Sequence, residues 1–299
     1  MKWILSVFVS FIFLSCNKKQ PDTTYQNNVE ESTSSRKKHS DFNTYWYDGF
    51  AEITSYQLEQ FRYGETHNGT ATLIFVTEPF LPEKQVKADF QNDGNISVLK
   101  LNSTKKFVTG IYPYALMTST FTPIKKENHA IKVSFSSQEW CGTTFVQLNN
   151  KENFEIDFHS YFESNSDKKV SLKKEWLEND VWTLLRISPD NLPLGNLKMI
   201  PSFEYLALHH KEIKVYKAEA SIEKLAENFI YVISYPELKR ELKITFSNEF
   251  PFQIEKWKET IILGNNKQTT LAVKMQTIKS KYWNKNKNQD TILRQKLNY

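Results

Sequence analysis

The chain is predicted to be mainly β: a long antiparallel meander, curved as a half-barrel or folded into two stacked sheets. One mid-chain helix and a short basic helix near the C-terminus complete the fold class. Three observations carry this. First, Ile131, Val133 and Phe135 alternate with Lys132, Ser134 and Ser136, and Phe154, Ile156 and Phe158 with Glu155, Asp157 and His159; a period of two belongs to strands with one dry and one wet face. Second, short apolar runs broken by turn residues recur along most of the chain. Third, a single segment departs from that rhythm. Within Lys173 to Ile187, Leu177, Val181, Leu184 and Leu185 fall at helical spacing, and Ser188-Pro189 closes the segment.

Taken in order, Phe50 to Phe61 is the first strand, ending near Arg62-Tyr63-Gly64, and His67-Asn68-Gly69 has the composition of a hairpin turn. Residues 71–78 (ATLIFVTE) are apolar on both faces, so that strand is expected to be central and covered on both sides; Pro79 and Pro82 stop it. Ile96 to Leu101 follows the Asp93-Gly94 turn, and Gly110-Ile-Tyr-Pro-Tyr114 is expected as a loop or sheet edge. After the helix, strands are expected around 198–210, 213–223, 229–235, 241–247, 252–263 and 269–279, with a basic helix around Ile292 to Leu297. No repeat period stands out, which disfavours a propeller or solenoid.

Residues 1–15 have the features of an export signal: Lys2, then an apolar and small-residue run from Trp3 to Ser15 that is too short for the ~20 residues of a membrane span. The end, Phe13-Leu14-Ser15-Cys16, resembles the lipobox of bacterial lipoproteins, which implies lipidation of Cys16 and membrane attachment. Residues 16–41 are polar and read as a flexible tether, 42–279 as the β-rich domain (with two halves meeting near 165–195), and 280–299 as a solvated basic tail. The net charge of +5 is accounted for by that tail, where six Lys and Arg from Lys279 to Lys296 face Asp290 alone. The near-neutral remainder argues against a nucleic-acid surface. With 8 glycines in 299 residues, a glycine-rich phosphate loop is not expected, and no HExxH, CxxC or paired HxH supports a metal. No cofactor is expected.

Candidate ligand-binding residues come from turns. Glu139-Trp140-Cys141 sits between two alternating strands, and Arg62-Tyr63 and Tyr112-Pro113-Tyr114 place aromatics where they could stack on a sugar or an apolar ligand. The default reading of Cys141 is a buried free thiol in the core. The rival is a thiol enzyme or hydrolase using Cys141 with His129 or His159, or the carboxylates Glu139, Glu155 and Asp157. His209 and His210, placed in a strand, would point to opposite faces and could not share an ion.

Tyr45-Trp46-Tyr47, Tyr63-Gly64-Glu65, Gly110-Ile-Tyr-Pro-Tyr114, Ser136-Ser-Gln-Glu-Trp-Cys-Gly142, Lys198-Met-Ile-Pro-Ser202 and Lys281-Tyr-Trp283 together resemble a family of uncharacterised lipoproteins from Bacteroidota. The resemblance implies an envelope lipoprotein and brings no activity with it. Such sequences sometimes carry the label septum formation inhibitor, Maf. Maf pyrophosphatases have a Ser-x-Ser-Pro-Arg-Arg motif near the start, which is absent here, so that label implies no function. The expectation is a lipid-anchored outer-membrane protein, facing the periplasm, whose β domain binds a small apolar or glycan ligand or a partner protein without catalysis.

Overall fold

In a computed structural model, residues 41–125, 129–264 and 266–299 are described. The expected signal, the lipid site Cys16 and the tether to residue 40 lie outside them. A short helix, α1 (residues 41–46), precedes β1 (Ala51–Arg62). The chain then steps outward through β2 (Glu65–Leu81), the two-residue β3 (Val86–Lys87) on the end of β2, β4 (Ile96–Thr109) and β5 (Tyr112–Pro123). It continues through β6 (Lys132–Glu139), β7 (Gly142–Asn150), β8 (Phe154–Ser160) and β9 (Lys168–Leu172), which is one edge of the sheet. The other edge begins at once with β10 (Trp176–Leu177), followed by helix α2 (Glu178–Ile187), β11 (Gly195–Ile200) and helix α3 (Phe203–Leu208). From there β12 (Tyr216–Lys224), β13 (Asn228–Tyr235), β14 (Arg240–Ser247), β15 (Ile254–Leu263) and β16 (Asn266–Ser280) return to the middle, where β16 pairs with β1. Helix α4 (Ile292–Gln295) follows β16 near the C-terminus.

Among the described residues all 16 strands belong to one sheet, antiparallel except for β10 with β11. Only four Cα steps separate Leu172 on one edge from Trp176 on the other, a span of at most about 14 Å. The sheet therefore curls until its edges nearly meet. Its inner face and the two interior helices share one apolar cluster, running from Leu58, Leu99 and Val133 through Leu184 and Leu206 to Ile233 and Trp257.

Helix α2 is buried on almost every side, charges included. Each charge is met by a different part of the surrounding chain. Glu178 takes two hydrogen bonds from Arg240 at 2.5 and 2.7 Å. Asp180 accepts from the Ala130 amide at 2.7 Å and lies 3.0 Å from His129 Nδ1. Arg186 donates to both carboxylate oxygens of Glu52. Buried charges are tolerated when paired in this way, so the pairing fixes where α2 sits.

Several expectations need correction. His67-Asn68-Gly69 is not a turn: it lies inside β2, paired with β1 and β4. Gly69 is there because a Cβ would sit 2.3 Å from the Lys106 carbonyl oxygen. The turn is Tyr63-Gly64, both at positive φ (53° and 88°), as a two-residue hairpin requires. The strand expected over 198–210 stops at Ile200, and 203–208 is helix α3, whose start is capped by Ser202. The mid-chain helix begins at Glu178 rather than Lys173. The C-terminal tail is not freely solvated: Leu297 is buried with Ala51, Ile53 and Val76, and Tyr299 hydrogen-bonds Thr72. This tail covers the outer face of the central strands β1 and β2, the second cover that the two-sided apolar pattern of 71–78 requires.

Candidate functional site

Antiparallel neighbours bring alternate turns to the same end of the sheet. Here the β1–β2, β4–β5, β6–β7 and β8–β9 connections share one rim, and that rim gathers every candidate ligand residue read from the sequence apart from the lipid site. Tyr63 and Tyr114 join through their hydroxyls at 2.7 Å. Tyr114 stacks flat on Phe107 at 4.8 Å, and Tyr112 lies between Tyr114 (5.8 Å) and Trp140 (6.3 Å, 29° between planes). The buried end of this ring series is Tyr114, at 2% exposure; the open end is Trp140, at 68%. Arg62 lies over Tyr63 at 4.6 Å and over Tyr114 at 5.7 Å. Its Nη1 also donates to the Leu208 carbonyl at 2.6 Å, a cation at the C-terminal end of α3.

Of these, Arg62, Tyr63 and Tyr114 line a cavity of about 130 Å³ together with Glu139, Cys141 and His210, while Tyr112 and Trp140 stand outside its lining. Gly142 allows the rim to close on itself, since a Cβ there would meet the Tyr161 ring at 2.9 Å. Partial burial works against ionisation of Tyr63, yet hydrogen bonds from Tyr112 and Tyr114, with Arg62 beside it, bring its pKa below the usual value.

Cys141 is exposed at the β6–β7 turn, not in the core; turn geometry outweighs its apolar character. Glu139 accepts a hydrogen bond from the Cys141 amide at 2.6 Å. Its carboxylate pushes the thiol pKa up from 9.0, the opposite of what a nucleophilic thiol needs. His129 and His159 are not its neighbours. His129 is beyond the far end of β6, about 25 Å away by strand length, against Asp180. His159 is on the outer face beside Asp167, where Glu155 meets Ser171 and Asp157 faces Lys169.

His209 and His210 follow α3 rather than sitting in a strand. They still diverge: His210 joins the rim cavity, and His209 faces inward. Among the described residues no group of three His, Cys, Asp or Glu is placed to hold a metal.

On the inner side of α3 lies a second, smaller chamber of about 60 Å³. Its charged walls are Glu178, Glu204, Glu259, Lys105 and Arg240. Lys105 meets Glu204 at 2.5 Å, and Arg240 bridges Glu178 and Glu259. Burial alone would raise the Glu259 carboxyl; Arg240, Lys105 and His209 outweigh it and hold the pKa below 4.5. Burial lowers His209 to about 4, so its ring is neutral near pH 7. Sequence reading missed this chamber. The available signal was parity: Lys105 falls at an inward position in the series Leu99, Leu101, Ser103, Lys105, Phe107, where an apolar residue is expected.

Comparison with protein families, with curated proteins and with solved structures finds no match for this chain.

Proposed function

We propose that the protein is a lipid-anchored component of the cell envelope whose sheet domain binds a sugar ring of an envelope glycan at the hairpin rim, without catalysing a reaction. The observation that supports this most is the graded ring series from buried Phe107 and Tyr114 through Tyr112 to exposed Trp140. A rigid aromatic face offers large contact area at low entropic cost. Beside it, Arg62, Glu139 and the Tyr63 hydroxyl supply the donors and acceptors that orient a polar ring. The raised thiol of Cys141 speaks against a thiol mechanism at this rim.

The leader and Cys16 support the anchor: lipid chains on that thiol hold the domain at a membrane, facing the periplasm from the outer membrane. Metabolic palmitate labelling tests it. Label and membrane association are expected in the wild type and lost in Cys16→Ala; equal membrane association of both refutes the anchor. Retention on immobilised envelope polysaccharide, lost in Trp140→Ala, tests the binding reading.

A further inference from the structure

We infer that the inner chamber beneath α3 is a binding site for a small primary amine in its ammonium form, separate from the rim and independent of the reading given for it. Two observations point there. The first is an orphan acceptor. Gln60 is 4% exposed and lines the chamber. Its amide nitrogen donates to Thr270 Oγ1 at 3.1 Å and to the Phe61 carbonyl at 3.2 Å. Its Oε1 is buried and has no hydrogen-bond partner. A buried acceptor left unmet is costly, so a donor belongs opposite it.

The second is charge. Three carboxylates, Glu178, Glu204 and Glu259, face two cations, Lys105 and Arg240, while His209 is neutral. That leaves the chamber with one negative charge in excess. Water would satisfy Gln60 but bring no positive charge to a wall where two cations are shared among three carboxylates. A donor that also carries positive charge answers both.

Size and shape narrow the class. One water needs roughly 10–15 Å³ of such space, so about 60 Å³ takes a molecule of only a few heavy atoms. Trp182 and Trp257 stand edge to face in the chamber wall at 5.3 Å, and an aromatic wall suits a cation with a short alkyl group. An ammonium group presents N–H donors in several directions and so can meet a neutral acceptor and a carboxylate of the same wall at once.

The same two tryptophans report occupancy. The mature protein is titrated with methylammonium chloride at constant ionic strength, with sodium chloride and tetramethylammonium chloride as controls, and tryptophan fluorescence is read. A saturable change with methylammonium alone is expected, weakened about tenfold in Gln60→Met, which keeps the side-chain length and removes the acceptor. No saturable change, an equal change with tetramethylammonium, or an unaltered response in Gln60→Met overturns the assignment. Should Gln60→Met fail to fold, the wild-type contrast between methylammonium and tetramethylammonium decides alone.

Discussion

Arg186 on α2 holds Glu52 on β1 through two parallel hydrogen bonds of 2.7 Å, with both side chains no more than 1% exposed. Trp46 and Phe75 flank the guanidinium at 4.9 and 4.6 Å, and the Tyr45 hydroxyl donates to the same carboxylate. One ion pair thus ties the interior helix to α1 and to the strand at the centre of the sheet. Removing one partner strands the other charge in the core, so Glu52→Gln is expected to cost about 3–5 kcal/mol. Urea unfolding of the two proteins checks it. Replacing both, Glu52→Leu with Arg186→Met, is expected to recover much of that loss.

Acid should act through the same pair. Burial alone would raise the Glu52 carboxyl, but Arg186 and its hydrogen bonds hold it below the usual 4.5 of a glutamate. A depressed folded pKa contributes stability that is complete above 4.5 and lost as pH falls through the folded value. Asp180 has the opposite sign: burial raises its folded pKa above 3.8 despite His129. Its contribution is therefore complete below 3.8 and lost as pH rises through the folded pKa. Thermal unfolding from pH 3 to 7, roughly the carboxylate range, is expected to show a shallower acid-side loss in Glu52→Gln. The same scans should show Asp180→Asn improving relative to the wild type as pH increases.

Cys141 should be a slow thiol. Because Glu139 raises its pKa from 9.0, alkylation by iodoacetamide at pH 8 is expected to run below the rate of free cysteine, and Glu139→Gln to accelerate it about two- to fivefold. A rate above that of free cysteine would restore the nucleophile reading.

The tail should matter to stability. Leu297→Ala removes the side chain that packs on Ala51, Ile53 and Val76 and is expected to cost about 2 kcal/mol, the lower end for a buried leucine. Charge reversals at the exposed Lys285 and Lys287 are expected to stay within about 0.5 kcal/mol. Chemical denaturation of the three variants separates packing from charge.

How much of this could be read in advance follows from what each residue senses locally. The strands at 131–136 and 154–159 were legible because one face is dry and the other wet. Helix α3 was not, because five of its six residues, all but Glu204, are apolar or aromatic and buried, and so short a run has no period to report. Gly69 misled because the close approach of Lys106 is a tertiary fact. The rim was legible because turn residues announce themselves, and topology then placed the turns side by side. The chamber was not, because Gln60, Lys105, Arg240 and Glu259 are isolated polar residues on four strands far apart in sequence.

The central claim is that Trp140 and Tyr112 form the platform for a sugar ring, and calorimetric titration of the mature protein with envelope saccharides tests it most directly. The account predicts saturable binding of at least one saccharide by the wild type. It also predicts a loss of about tenfold or more in Trp140→Ala with an unchanged unfolding midpoint, since the removed ring is 68% exposed. Equal binding by the two proteins, or no saccharide bound by the wild type, contradicts it.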